Sequence, residues 1–200
     1  MENPQNKIDL RQENKYLISL SKINIFEKKI INLGFKLNHL PNIINNIYFD
    51  TNLMKSALEN IEGDEKRAKY RIRWYNNDDN FVLEKKIKLS SSGYKEKESL
   101  VSKDYRSAIF EVTELIKQNP VIKNSYFRKY YIKEDIRITI DTELKFYLPT
   151  SETFKSYFNS IVEIKYSTNE IHNLFDKLDI ETQLTKFSKY ITGLEAFGRI

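Results

Sequence analysis

Residues 67–75 alternate strictly between basic and apolar side chains. The basic positions are Arg67, Lys69, Arg71 and Arg73, and the apolar positions are Ala68, Tyr70, Ile72 and Trp74. A period of two residues is typical of a β-strand that packs one face and leaves the other polar. The segment therefore predicts a strand with a dense row of positive charge on its polar face.

The same alternation recurs along the chain and predicts a larger sheet. The turn-rich residues 76–80 join the first strand to residues 81–88, which alternate again, so this pair predicts a β-hairpin. The other predicted strands are 135–141 and 161–166, with weaker ones at 13–20, 43–50, 94–100 and 125–133, and helical periodicity covers 22–33, 103–118, 169–178 and 184–197. Hairpins with helices between them favour an antiparallel α+β fold.

The composition limits both the domain count and the chemistry. The 200 residues are 40% hydrophobic, which suffices for one core, and 5 Gly and 4 Pro leave little linker material. We therefore expect a single domain over residues 11–200, after a loose arm at residues 1–10. The chain has no cysteine, which excludes disulfides, thiolate catalysis and thiolate zinc sites. It also shows no signal-peptide pattern and no apolar run long enough for a membrane span.

The charge of the chain indicates an anionic partner, since the net charge is +5. The strand faces indicate what kind of anion binds. Side chains opposite one another on neighbouring strands lie about 5 Å apart, and like charges there repel. The basic residues on these faces are Lys15, Arg71, Arg73, Lys86, Arg128 and Arg137. Glu13, Glu84 and Glu163 alternate onto similar faces but are too few to neutralise them. A ligand with several phosphates would do so, because the planar fork of arginine suits phosphate oxygens.

Eight short motifs follow one another in the order in which they occur in a known family. They are Arg-Gln-Glu-Asn-Lys-Tyr (11–16), Ile-Tyr-Phe-Asp-Thr (47–51), the basic strand 67–75, Phe-Val-Leu-Glu-Lys-Lys (81–86), Tyr-Phe-Arg-Lys-Tyr-Tyr (126–131), Arg-Ile-Thr-Ile-Asp (137–141), Ile-Val-Glu-Ile-Lys-Tyr (161–166) and Lys-Phe-Ser-Lys-Tyr (186–190). The series resembles the VTC domain, the polyphosphate polymerase branch of the triphosphate tunnel metalloenzymes. The resemblance implies an α+β fold in which an antiparallel β-barrel of about eight strands forms a polar tunnel, with flanking helices.

The resemblance also implies which residues form the site. The catalytic cations that grip phosphate would be Lys15, Arg71, Arg73, Lys86, Arg128, Arg137 and Lys189. Further substrate contacts would come from Arg67, Lys165, Lys186 and Lys97, with Lys95 as the alternative to Lys97. Glu163 would hold Mn²⁺ or Mg²⁺ as the cofactor. Glu84 would be either a second metal ligand or an ion-pair partner of Arg71, and the same two roles are open for Glu13.

For function, the resemblance implies a metal-dependent enzyme that transfers the γ-phosphate of ATP to a growing polyphosphate chain. Phosphoryl transfer passes through a loose transition state, so positioning and charge neutralisation supply most of the catalysis. The terminal phosphate of the acceptor is already ionised and needs no strong base. Two alternatives stay open: a triphosphatase of the same fold, which cleaves tripolyphosphate or a nucleoside triphosphate, and a non-catalytic polyphosphate-binding domain.

The expected partners are ATP and polyphosphate. Nucleic acid is not expected, because most Tyr and Phe side chains alternate onto the packed strand faces instead of standing exposed among basic residues. Fungal members of the resembled family carry a membrane part. We therefore expect a cytoplasmic protein that either acts alone or is held at a membrane by a membrane-protein partner, and the oligomeric state stays open.

Overall fold

The computed structural model describes residues 12–90, 92–167, 172–178 and 183–200, so the predicted arm at residues 1–10 lies outside the described residues. The strands are β1 (Gln12–Ser19), β2 (Lys36–Leu37), β3 (Asn42–Asp50), β4 (Lys66–Tyr75), β5 (Val82–Leu89), β6 (Ser92–Ser99), β7 (Asn119–Lys133), β8 (Ile136–Tyr147), β9 (Phe154–Ser156), β10 (Asn159–Tyr166) and β11 (Gln183–Leu184). The helices are α1 (Leu20–Asn32), α2 (Lys55–Glu62), α3 (Tyr105–Ile116), α4 (His172–Leu178) and α5 (Lys189–Ala196). In this part of the chain, no helix has the length and apolar character needed to cross a membrane.

One antiparallel sheet contains all of these strands. Their order is β11-β1-β10-β8-β7-β3-β4-β5-β6, with β2 against β7 and β9 against β8. The predicted hairpin is β4–β5, and its register places Arg71 opposite Glu84 and Lys69 opposite Lys86. The prediction of an antiparallel α+β fold is therefore confirmed.

The sheet curls so that its polar face surrounds a tunnel. Lys15 from β1 and Lys95 from β6 line the same cavity, although the two strands lie near opposite ends of the strand order. Between the described parts of β6 and of β1 or β11 there is no strand pairing, so the sheet surrounds the tunnel without closing into a complete barrel. The polar tunnel is as predicted, and the short strands β2, β9 and β11 raise the strand number above the expected eight.

Much of the apolar strand surface faces away from the tunnel, where helices cover it, and another part packs against α5 and the loop before it. Helices α1 and α4 pack over β1, β7, β8 and β10, and α3 packs over β3, β4 and β5. Ile72 of β4 is fully buried beneath α3, while its neighbours Arg71 and Arg73 line the tunnel. Burial of a side chain such as Ile72 contributes about 1.5–3 kcal/mol. Burial of the apolar face of β4 therefore directs its basic face into the tunnel.

Helix α5 begins later than the pattern at residues 184–197 predicts. The side chain of Ser188 accepts a hydrogen bond from the backbone amide of Ile191 at 3.5 Å and so caps the helix, which starts at Lys189. The predicted helix is therefore wrong in its first residues, and Lys186 lies in the preceding loop.

Helix α2 is not among the predicted helices. Its N-cap residue Met54 has a φ of 51° and offers no capping side chain. The cap comes instead from Asp50, which accepts hydrogen bonds from the backbone amides of Ser56 and Ala57, both at 3.0 Å. Thr51 also accepts a hydrogen bond from the backbone amide of Lys55 at 3.2 Å. Both capping residues precede the helix by four or more positions, so the usual N-cap position directly before it carries no start signal.

Candidate active site

The tunnel contains two adjoining cavities, which we call the inner and the outer cavity. The inner cavity has a volume of about 180 Å³, and the outer cavity has a volume of about 880 Å³. The inner cavity is lined by Glu13, Lys15, Tyr48, Lys69, Arg71, Arg73, Lys86, Lys95, Tyr126, Arg128, Glu163, Lys165, Phe187, Ser188, Lys189 and Tyr190. The residues that line both cavities, and so make them continuous, are Glu13, Lys15, Lys69, Lys86, Phe187 and Ser188.

Three lysines form a row across neighbouring strands of the tunnel wall. Lys86 of β5 lies directly opposite Lys69 of β4 on one side and Lys95 of β6 on the other. All three side chains line the inner cavity. Like charges in such positions destabilise a sheet, so a bound polyanion would relieve a repulsion that is built into the wall.

Burial and repulsion also lower the pKa values of this row. Burial, followed by the charges of Lys86 and other nearby cations, lowers the pKa of Lys69 to about 7. Burial and the charge of Arg71 lower the pKa of Lys95 to about 7, against the opposing effect of Glu84. The pKa of Lys86 is lowered as well, chiefly by burial. The charge of the row is therefore sensitive to pH near neutrality. An anion bound among the lysines would raise their pKa values and increase the fraction that is protonated.

Glu84 organises the cations of β4 and β6. It is 2% exposed and accepts hydrogen bonds from Nε and Nη2 of Arg71 at 2.7 and 2.5 Å. Nitrogen atoms of Arg73, Lys95 and Lys97 lie 3.8, 3.7 and 3.9 Å from its carboxylate oxygens. Burial raises the pKa of Glu84, but Arg71 and Arg73 lower it more strongly, to about 2. These contacts favour the ion-pair role for Glu84 over the metal-ligand role.

Asp141 of β8 holds two further cations, one from β7 and one from α5. Arg128 donates to both of its carboxylate oxygens, and Nζ of Lys189 lies 2.5 Å from Oδ2. Burial raises the pKa of Asp141, but Arg128 and Lys189 outweigh it and bring the pKa to about 2. Both cations also lie over the ring of Tyr126, at 5.2 and 4.5 Å from its centroid. The start of α5 is thereby fixed against the sheet with its lysine in the inner cavity.

Carboxylates and lysines alternate where β1 meets β10. The register places Lys15 opposite Glu163 and Glu13 opposite Lys165. Nζ of Lys165 lies 3.1 Å from a Glu13 oxygen and 3.4 Å from a Glu163 oxygen, so both carboxylates contact one ammonium group. Burial raises the pKa of Glu13, but the charges of Lys15, Lys86 and Lys165 hold it well below its usual range. Glu13 is therefore ionised at any physiological pH.

Glu13 and Glu163 are the carboxylates that fit a divalent cation. Magnesium and manganese prefer oxygen ligands, and Mg²⁺ is commonly held by one or two carboxylates together with phosphate oxygens and water. Both side chains line the inner cavity, whereas Glu84 and Asp141 bind arginine. Among the described residues, no cluster of three or more Asp, Glu, His or Cys side chains occurs. Phosphate oxygens would therefore have to complete the coordination of a metal bound here.

The structure brings most of the predicted site residues together. Those in the wall of the inner cavity are Lys15, Arg71, Arg73, Lys86, Arg128, Lys165, Lys189, Glu13 and Glu163, and those in the wall of the outer cavity include Arg67 and Lys186. Lys97 lines neither cavity and its side chain is 61% exposed, while the alternative, Lys95, lines the inner cavity. Arg137 also lines neither, because it is the second residue of β8 and is exposed. Roles of these two residues in phosphate binding stay predictions.

Several residues of the inner cavity are absent from the predicted set. Lys69 could have been found, since it continues the basic row between Arg67 and Arg71. Tyr48 and Tyr126 could not, because an aromatic residue in a strand predicts packing equally well. In the structure the hydroxyl of Tyr48 lies 3.2 Å from Nη1 of Arg71, so this tyrosine helps to orient a cation.

Comparisons with known proteins agree with this architecture. The sequence matches the family model of the VTC domain over residues 10–119 and 94–197. A search of curated proteins finds no match. Among solved structures, the PH1819 protein of Pyrococcus horikoshii OT3 is similar, with 16% identity, a TM-score of 0.57 and coverage of 92% of this chain and 99% of that chain.

Two further solved structures share the fold. A Bacillus halodurans protein described as a candidate adenylate cyclase has 13% identity, a TM-score of 0.61 and coverage of 95% of this chain and 98% of its own. The Hippeastrum adenylyl cyclase candidate HpAC1, described as having a dominant triphosphatase activity, has 13% identity, a TM-score of 0.57 and coverage of 94% and 96%. Identities this low show the fold alone. The family model spans nearly the whole sequence, and the chain therefore belongs to the VTC domain family.

Proposed function

We propose that this chain is a metal-dependent polyphosphate polymerase, which transfers the γ-phosphate of ATP to the end of a polyphosphate chain. The observation that carries the proposal is the continuity of two cationic cavities inside one tunnel. A triphosphate fits the charge of the inner cavity, where Lys and Arg side chains far outnumber Glu. The outer cavity would then receive the rest of a longer polyanion.

The inner cavity supplies what phosphoryl transfer needs from a protein. Arg71 and Arg128 offer planar forks that are already oriented by Glu84 and Asp141. Lys189 reaches the same cavity from α5. Preoriented cations stabilise charge on the transferring group without reorganisation at the moment of reaction. The acceptor phosphate needs no general base, and the described residues of the inner cavity wall include no histidine.

Glu163 and Glu13 would hold a divalent ion, Mn²⁺ or Mg²⁺, against the phosphates. When bound, the ion supplies positive charge to the phosphate oxygens. Lys165, which contacts both carboxylates, would keep them ionised and in place. Lys15, beside Glu13 at 3.0 Å, would contact the same phosphates from the neighbouring strand.

The outer cavity supports a polymer rather than a lone triphosphate. Its wall contains Arg67, Lys88 and Lys186, which offer further cations to phosphate groups beyond the inner cavity. Glu62, Glu65 and Glu195 lie in the same wall and equal these three cations in number, so phosphate would be bound more weakly there. Weaker phosphate binding in the outer cavity would allow a growing polyphosphate chain to move along the tunnel.

A triphosphatase is the second candidate, and the structural neighbour HpAC1, described by a dominant triphosphatase activity, favours it. Both candidates use the inner cavity in the same way and differ in the acceptor, which is a phosphate chain in one and water in the other. Association with a membrane through a partner protein stays a prediction.

The two candidates differ in the products that they form from ATP. The purified protein would be incubated with ATP, Mn²⁺ and a short polyphosphate primer, and ADP and free phosphate would be measured separately. A polymerase forms ADP without an equal amount of free phosphate, and primer accelerates ADP formation. Equal amounts of ADP and free phosphate, independent of primer, would overturn the polymerase proposal.

Lys186→Gln tests the part assigned to the outer cavity. It should slow primer-dependent ADP formation, because the primer loses a contact in that cavity. Lys36→Gln, on strand β2, exposed and outside both cavities, is the matched control and should behave like the wild type.

A further inference from the structure

Asp50 is a fully buried carboxylate at the end of β3 that lines neither cavity. Its oxygens accept hydrogen bonds from the backbone amides of Thr51 at 2.7 Å and of Ser56 and Ala57 at 3.0 Å. The last two amides belong to the first turn of α2. A buried charge is costly unless it is satisfied in this way. Asp50 is therefore held rigidly between β3 and α2.

Tyr190 of α5 makes a fourth contact with this carboxylate. Its hydroxyl donates to Oδ2 of Asp50, and its buried ring stacks on Tyr48 with a centroid distance of 5.0 Å. Burial, and then the hydrogen bond to Asp50, raise the pKa of Tyr190, so the hydroxyl stays protonated and remains a donor. The bond ties α5 to the frame that β3 and α2 form.

The first turn of α5 also carries a cation of the inner cavity. Lys189 directly precedes Tyr190 and forms an ion pair with Asp141. Any rotation of this turn that moves the Tyr190 ring also moves the Lys189 side chain. Tyr190, which itself lines the inner cavity, thus connects a carboxylate outside both cavities with an ammonium group inside the inner one.

From these contacts we infer that Asp50 is a positioning residue for phosphate binding, acting through Tyr190 on Lys189. The inference rests on the proposed function only in that phosphate occupies the inner cavity. Without the hydrogen bond, the first turn of α5 loses a fixed orientation, and Lys189 points into the cavity in a smaller fraction of molecules. A smaller binding-competent fraction weakens the observed affinity in proportion.

A double-mutant cycle tests the inference. Tyr190→Phe removes the hydrogen bond but keeps the ring beside Tyr48 and leaves Asp50 as the cap of α2. Tripolyphosphate affinity would be measured by calorimetry for the wild type, Tyr190→Phe, Lys189→Met and the double variant. We expect losses of about fivefold for Tyr190→Phe and about tenfold for Lys189→Met, and the double variant should match Lys189→Met alone. Losses that multiply in the double variant would overturn the inference.

Tyr131→Phe is the matched control for stability. Tyr131 is also buried and also donates its hydroxyl to a carboxylate, that of Glu27 in α1, but on the outer side of the sheet. Both Tyr→Phe variants should lose thermal stability, and only Tyr190→Phe should lose affinity. Equal losses of affinity would overturn the inference, because stability alone would then explain them.

The same titrations separate the inference from the proposed function. A wild type that does not bind tripolyphosphate contradicts both. A wild type that binds with the expected pattern but does not extend polyphosphate contradicts the proposed function alone.

Discussion

Arg128 donates two hydrogen bonds to Asp141, from Nε at 2.5 Å and from Nη2 at 2.7 Å. The carboxylate is completely buried, and it also holds Lys189. Removal of this one anion would leave two desolvated cations facing each other. One buried carboxylate thus holds two cations of the inner cavity in place.

Asp141→Asn should therefore lower the free energy of unfolding by about 3–5 kcal/mol, the usual cost of breaking a buried ion pair. Tripolyphosphate should restore part of the loss, because its oxygens replace the carboxylate beside Arg128 and Lys189. Denaturant titrations with and without tripolyphosphate measure both effects. Asp135→Asn, in the turn between β7 and β8, is the control and should stay close to the wild type. An Asp141 variant as stable as the wild type would contradict this account of the site.

Lys86→Met should have opposite effects on stability and on binding. Loss of the middle charge removes the repulsion from Lys69 and Lys95, so at about pH 6, where both of these lysines are charged, the free energy of unfolding should rise by about 0.5–1 kcal/mol. Tripolyphosphate affinity should fall, because the same lysine lines both cavities. Lys85→Met changes the adjacent lysine, which contacts Glu96 at 3.4 Å and lines neither cavity. This control should gain no stability and should bind tripolyphosphate like the wild type. A Lys86 variant that is less stable than the wild type would contradict the proposed repulsion among the three lysines.

Tripolyphosphate binding should be accompanied by proton uptake above pH 7. Lys69 and Lys95 have pKa values lowered to about 7 in the folded protein, and bound phosphate would raise them again. Affinity should consequently fall as the pH rises from 7 to about 9. Calorimetry in buffers of different ionisation enthalpy measures the proton uptake. The Lys69→Gln, Lys95→Gln double variant should lose most of it, and unchanged uptake in that variant would assign the protons elsewhere.

The same two lysines predict the opposite trend for the stability of the free protein. Unfolding returns their pKa to the ordinary value of 10.5, so between pH 7 and that value the unfolded chain binds more protons than the folded chain. The free energy of unfolding should therefore rise with pH across this window. Denaturant titrations at pH 7 and pH 9, compared with the double variant, measure the contribution. A contribution from these lysines that falls with pH would contradict the lowered pKa values.

Glu163→Gln should separate metal-dependent turnover from phosphate binding. The variant loses a carboxylate proposed to hold Mn²⁺ or Mg²⁺, so turnover should fall by two or more orders of magnitude, on the order of the losses seen for other charge-stabilising groups. Tripolyphosphate binding without metal should persist, because the cations of the inner cavity remain. Glu96→Gln, a strand glutamate beside Lys85 and outside both cavities, is the control. Full turnover in the Glu163 variant would exclude this residue as a required metal ligand.

The strand faces could be predicted from the sequence because the period of two residues is a local property. Ile72 and Arg71 are adjacent in a strand and so lie on opposite faces of the sheet. Burial of the apolar face beneath α3 then places the basic face towards the tunnel. The ion pair between Arg71 and Glu84 was one of two predicted alternatives, since it depends only on the register of a single hairpin.

Features set by distant contacts could not be predicted. Helix α2 lacks a start signal at the usual N-cap position because Asp50 caps it from the preceding strand. The sequence does not distinguish Lys95 from Lys97, because both lie on the same face of β6, and in the structure both contact Glu84 while Lys95 lines the inner cavity. Lys186 precedes α5 because Ser188 caps the helix, although the apolar periodicity begins earlier in the sequence.

Incubation with γ-labelled ATP, Mn²⁺ and a short polyphosphate primer tests the central claim most directly, with Glu163→Gln in parallel. We expect label in a ladder of growing polymer with the wild type and no ladder with the variant. Label found only in free phosphate would contradict the polymerase account and identify water as the acceptor.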